Sequence, residues 1–253
     1  MPNRISGCVG GASDGQSSEL RQRIAVCASC EARVLSLCHA IPDSRLDRLA
    51  AISTAVEVAP GGTFIEEGEP ASSFFNITRG TVKLYKLLPD GRRQITGFLG
   101  VGDFLGLAVS ESYVFTAEAI DTVRVCRFAR RRLNEVLDDF PALERKLLEI
   151  ASHELVAAQE QMLLLGRKTA LERLASFLLG RADRAEAQGL NGIPLAMTRT
   201  DIGDYLGLTI ETVSRLMSRL RRERIIALPE AHGFTVLDRP ALLTYSGGEG
   251  PII

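Results

Sequence analysis

Residues 197–224 read MTRTDIGDYLGLTIETVSRLMSRLRRER, and few folds can use such a stretch. It predicts two short helices broken by a turn. Thr198 is placed to cap a first helix through Leu206, with Asp201 positioned for a capping box. Gly207 supplies the turn, and Thr209 can cap a second helix. Leu206, Leu208, Val213, Leu216 and Leu220 can share one apolar seam, and Gly203 is small where the two helices would cross. The opposite face of the second helix carries Glu211, Ser214, Arg215, Ser218 and Arg222 at helical spacing. Residues 210–224 hold five arginines and two glutamates, a net of +3. One charged helix is ordinarily a solvated face. Glutamate, however, is an odd choice for a face meant only to grip phosphates. It accepts a hydrogen bond from the cytosine amino group, while arginine forks onto guanine. Glu-x-x-Ser-Arg on one turn therefore points to a helix-turn-helix that reads double-stranded DNA in the major groove. Two apolar runs, 225–228 and 234–237, flank the turn PEAHG and predict a β-wing.

The remaining composition must be compatible with that reading. A chain of 253 residues has room for two compact domains. Its net charge is −1, so affinity for DNA has to come from a local patch. No apolar run approaches the ~18 residues of a membrane span. The first residues show no hydrophobic signal region, so a cytoplasmic location is expected. Five cysteines in that setting argue for reduced thiols or metal rather than disulfides.

Residues 1–20 are rich in Gly and Ser and read as a disordered arm carrying Cys8. The segment CASCEARVLSLC follows, with Cys27, Cys30 and Cys38 spaced C-x2-C-x7-C. A tetrahedral zinc or an iron–sulfur cluster normally needs a fourth ligand. The candidates are Cys126, Cys8, His39, His153 and His232. Cys126 lies in the strand-like TVRVCRF, where a lone cysteine is usually core filler. Spacing favours metal and leaves zinc and iron–sulfur both open.

Between residues 51 and 128, short runs such as AVEVA, SFFNITRG, TVKLYKLL and RRQITGFLG alternate with Gly or Pro-Asp-Gly turns. This pattern indicates an antiparallel barrel or roll. A cupin-like enzyme would need a histidine and carboxylate metal set, and residues 40–152 contain no histidine. Pro141 then opens a long helical stretch without an internal Gly or Pro until Gly166. Leu148, Ser152, Leu155, Gln159 and Met162 alternate steps of four and three, the seam of a two-stranded coiled coil. Glu160 lies near this seam and would face its own copy across a symmetric dimer, which opposes association.

The stretch DIGDYLGLTIETVSRLMSRL, with MLLLGRKTALERLASFL upstream, resembles the CRP/FNR regulators and most closely their oxygen-sensing FNR branch. The likeness spans residues 25–237. It implies an α+β chain: a cysteine-bearing arm at 1–40, a cyclic-nucleotide-binding-like β-roll at 41–137, and a dimerisation helix at 138–166. A winged helix-turn-helix at 167–237 and a tail at 238–253 complete it. By the same likeness, Cys27, Cys30, Cys38 and Cys126 would hold one [4Fe–4S] cluster per subunit. A homodimer would bind TTGAT-N4-ATCAA-like DNA through Glu211, Ser214 and Arg215, and would contact RNA polymerase. Members that bind nucleotide use an Arg-Ser pair for the cyclic phosphate. Here no arginine lies between Arg93 and Arg124, so no cyclic nucleotide is expected. Where the wider family often has a further arginine, this chain has Ile210.

Overall fold

The computed structural model describes residues 13–107, 111–190, 192–229 and 233–248. Helix α1 (Ser13–Ala28) leads through two 3-10 turns, Glu31–Leu35 and Leu37–Ala40, into a third turn and α2 (Leu46–Ile52). Eight strands follow: β1 (Ser53–Val58), β2 (Thr63–Ile65), β3 (Ser73–Arg79), β4 (Val82–Leu87), β5 (Arg93–Leu99), β6 (Phe104–Leu105), β7 (Thr116–Ala119) and β8 (Val123–Ala129). They form two four-stranded antiparallel sheets, ordered β1-β8-β3-β6 and β2-β7-β4-β5. The inward faces of the two sheets enclose Ile65, Ile77, Val82, Ala117 and Val125. Such strands alternate because successive side chains point to opposite faces.

The outer face of the first sheet carries Phe74, Phe104 and Phe128. It is covered by Leu37 and Ile41 of the cysteine segment, by α3 (Arg130–Asp139) and by the start of α4 (Pro141–Arg167). Gly102, at φ 94°, sits where that segment presses on the roll; a Cβ there would come 2.6 Å from Leu35 Cβ. Only glycine tolerates both this backbone and this approach. The disordered-arm expectation fails from Ser13 onward, where α1 forms and packs against α2. Past the Gly- and Ser-rich start, ELRQRIAVCA has good helix formers and no breaker. Cys8 lies outside the described residues.

The 27 residues of α4 pass into α5 (Ala170–Ala187), which opens on a complete Thr169–Glu172 capping box. The helix-turn-helix is α6 (Arg199–Leu206) and α7 (Ile210–Arg222). Strands β10 (Ile226–Ala227) and β11 (Gly233–Val236) pair as the wing, with β9 (Ile193–Pro194) on its far side. The tail also holds structure: Asp238 caps α8 (Arg239–Tyr245), whose Leu242 is fully buried in the domain core. The arrangement is α+β, as the sequence predicts.

Candidate functional site

The helix-turn-helix forms for local reasons. Thr198 Oγ1 accepts from the Asp201 amide at 3.0 Å, and Asp201 Oδ2 accepts from the Thr198 amide at 3.0 Å. Gly207 turns the chain at φ 62°, and Thr209 accepts from the Thr212 amide. A Cβ on Gly203 would lie 2.6 Å from the Leu208 carbonyl oxygen, so the close approach of turn and helix requires glycine. Val213, Met217 and Leu220 face the core with Leu206. Met217 was absent from the expected seam, whereas Leu208 and Leu216 are only half-buried.

On the opposite face Glu211, Ser214 and Arg215 are all exposed. The Glu211 carboxyl is held below its ordinary value by its own backbone amide and by the Thr209 hydroxyl. Arg219 is engaged by Glu223 at 2.8 Å and lies over the Tyr245 ring. Arg215, Arg221 and Arg222 enter no salt bridge among the described residues. The surface thus offers an arginine outside any salt bridge, a hydroxyl and a carboxylate on one turn, groups whose chemistry matches base edges.

The second constellation is the cysteine segment. Cys27 lies in the last turn of α1, Cys30 precedes the first 3-10 turn, and Cys38 lies in the second. Cys126 sits mid-strand in β8, opposite Ala55 on one side and Asn76 on the other. Cys38 and Cys126 pack on the same apolar core, and all four thiols are free. Burial, with the charges of Cys38, Cys27 and Cys30 beside it, pushes the Cys126 thiol up to about 12. Burial likewise pushes Cys38 up to about 11, against the Ser36 hydroxyl and with help from Cys27 and Cys30. The fold therefore brings all four sequence-selected cysteines within electrostatic range of one another. Among the described residues, no group of three or more His, Cys, Asp or Glu is arranged to hold a metal ion.

Along α4, Leu155 and Met162 are 61% and 65% exposed, and Leu148 and Leu163 are exposed with them. Glu160 is half-buried instead, and its charge adds to the burial that pushes Tyr205 of α6 up to about 12. A cavity of about 410 Å³ bounded by the roll and by α4 is walled by Leu84, Leu99, Phe104, Phe115 and Ala151. Arg130 and Glu154 also line it. The Arg130 guanidinium donates to the Gly106 carbonyl at 2.8 Å and stacks over Phe74. The loop expected to meet a cyclic phosphate falls partly on residues 108–110, outside the described residues.

One cluster escaped the sequence reading. Lys83 of β4 meets Glu118 at 2.9 Å and Asp201 at 3.1 Å. Arg93 of β5 reaches the same Asp201 oxygen at 3.1 Å and Asp204 at 2.8 Å. Beside them Phe98, Phe177 and Tyr205 meet at tilted and edge-to-face angles in a trio, with Phe98 and Tyr205 centroids 5.2 Å apart. These contacts fasten the roll to the first helix of the DNA-reading unit.

Comparison with known proteins agrees with both halves. Residues 55–140 match the cyclic nucleotide-binding domain family, and residues 172–245 match the Crp-like helix-turn-helix domain family. The nitrogen fixation regulation protein FixK of Bradyrhizobium diazoefficiens is 42% identical over 214 residues, covering 84% of this chain and 90% of that protein. The transcriptional activator protein FnrL of Cereibacter sphaeroides is 35% identical over 229 residues, covering 88% and 92%. The structure of FixK2 from Bradyrhizobium japonicum superposes with a TM-score of 0.73 at 37% identity, over 80% of this chain and 99% of that one. With a roll of the cyclic nucleotide-binding domain family, a long helix and a Crp-like helix-turn-helix in this order, the chain belongs to the CRP/FNR family of DNA-binding transcription regulators and is not an enzyme.

Proposed function

We propose that this regulator senses oxygen through a [4Fe–4S] cluster, one per subunit, held by Cys27, Cys30, Cys38 and Cys126. The observation that carries the reading is the convergence of four free, half-buried thiols from α1, the 3-10 turns and β8. Four thiolates around an apolar floor are the donor set that would hold such a cluster. When bound, the cluster supplies reactivity towards oxygen. The chain's own residues supply the rest. The cysteine turns rest on the start of α4, so their arrangement is continuous with the helix that presents Leu148, Leu155 and Met162 to a second copy. A homodimer held there would offer two α7 helices to an inverted repeat like TTGAT-N4-ATCAA at low oxygen, and would contact RNA polymerase. Cluster-free protein would lose both dimer and DNA. Its named relatives include transcriptional activators, which supports activation at some promoters.

Within each half-site, Arg215 pairs with guanine, Glu211 accepts from the cytosine across from it, and Ser214 touches the neighbouring thymine. Gel shifts under argon test this with each half-site base varied. Arg215→Ala should cost about 1–3 kcal/mol per half-site and flatten preference at the G·C pair. Equal weakening on every sequence would make Arg215 a phosphate clamp and sink the assignment. Anaerobic protein should be brown; a colourless, zinc-loaded preparation would overturn the oxygen reading itself.

The roll is expected not to bind cyclic AMP. Among the described residues lining the cavity, the cation is Arg130, already engaged by Gly106 and Phe74, and Glu154 shares the wall. An anionic phosphate there would go unmatched. Calorimetry should show no heat at micromolar nucleotide; saturable binding would refute the expectation.

A further inference from the structure

Asn76 is 1% exposed, and its Oδ1 has no hydrogen-bond partner. Leaving such a group unsatisfied forfeits its hydration without return, a penalty that leucine, of similar size, would not incur. Its place in the sheet suggests what it serves. Asn76 lies in β3 directly opposite Cys126 of β8, with Phe104 of β6 as its other partner. Direct cross-strand partners share a face and have Cβ atoms about 4.5–5.5 Å apart. That face also carries Phe74 and Phe128, and it is the one that Leu37, Cys38 and Ile41 cover. The carboxamide therefore belongs to the floor of the cysteine site, within one side-chain length of the Cys126 sulfur. A half-turn about the last side-chain bond exchanges its oxygen for its N–H, and no protein hydrogen bond fixes the choice.

We propose that Asn76 donates an N–H to the Cys126 thiolate or to the adjoining sulfide of the bound cluster and thereby raises the cluster's reduction potential. This rests on the cluster reading above. Asn76 is a positioning residue rather than a ligand. The physical reason is charge: an electron added to the cluster increases negative charge on sulfur, and a donor to sulfur stabilises that state. The redox step is uptake of one electron from dithionite, which is oxidised; no bond to iron forms or breaks.

The test is an anaerobic potentiometric titration of the full chain, unsubstituted and as Asn76→Leu and Asn76→Thr. Asn76→Leu should keep its brown colour and four irons. Its one-electron equilibrium should shift roughly tenfold towards the oxidised form, about 60 mV downward. Asn76→Thr, which retains a donor hydroxyl, should recover part of that shift. Hyperfine spectra of reduced, unsubstituted protein labelled with 15N in the asparagine side chains provide a reading that needs no variant to fold. The label should couple to the cluster, since the other asparagine described, Asn134, is exposed on α3. Brown protein with no nitrogen coupling, or an unshifted potential in Asn76→Leu, overturns the role of Asn76 and leaves the cluster reading intact. Colourless unsubstituted protein overturns both.

Discussion

Cys126→Ser should yield colourless protein from an anaerobic preparation in which the unsubstituted chain is brown. The same total loss of charge-transfer absorbance is expected for serine at Cys27, Cys30 or Cys38, because each change removes a thiolate ligand. Cys8→Ser should leave the spectrum intact. Among the four, Cys126 is the most informative. It is remote in sequence from the others and sits in a β-strand, where a small apolar role would be the ordinary explanation. Serine is nearly isosteric and remains compatible with the register of β8 against β1 and β3. The roll should therefore keep its secondary structure by circular dichroism while the colour disappears. A fully coloured Cys126→Ser protein would show that the fourth ligand lies elsewhere.

That experiment also marks where sequence reading reached and where it stopped. The helix-turn-helix was legible almost residue by residue because its determinants are local: a threonine cap, an acidic residue three positions on, a glycine at the turn. The strands of the roll were legible for a related reason, since Gly and Pro-Asp-Gly corners punctuate alternating runs. Helix α1 was missed because the Gly- and Ser-rich residues before it dominate the local composition. Its stability comes from packing against α2, a contact no local signal announces. Asn76 was invisible for another reason. A single asparagine in an apolar strand gains meaning only when register sets it against Cys126.

The clasp between roll and DNA-reading unit is the clearest case of information held only in three dimensions. Sequence assigned Asp201 one task, and the structure gives it two. Its Oδ2 caps α6 through Thr198, while its Oδ1 accepts from Lys83 and from Arg93, each at 3.1 Å. The Lys83 and Asp201 side chains are 9% and 6% exposed, so removing the carboxylate charge takes one of two partners from a buried ammonium. Asp201→Asn keeps an acceptor for the cap and loses the charge. It should cost about 3 kcal/mol, the lower end for breaking a buried pair, because Glu118 still holds Lys83 at 2.9 Å. Asp201→Ala should cost about 1 kcal/mol more, the value of a cap. Burial pushes the Asp201 carboxyl up, but the Thr198 hydroxyl and amide and the Lys83 ammonium outweigh it, so its pKa is lowered overall. A depressed folded-state pKa means the contribution is present above the unfolded value near ~3.9 and is lost as pH falls through the folded one. Urea midpoints at neutral pH should therefore separate the Asp201→Asn variant clearly from the parent, and the gap should close as both are acidified. An Asp201→Asn protein within about 0.5 kcal/mol of the parent at neutral pH would reduce the clasp to an exposed-type ion pair. A gap that persists unchanged into acid would mean that shape, rather than charge, joins the roll to the helix that positions the DNA reader.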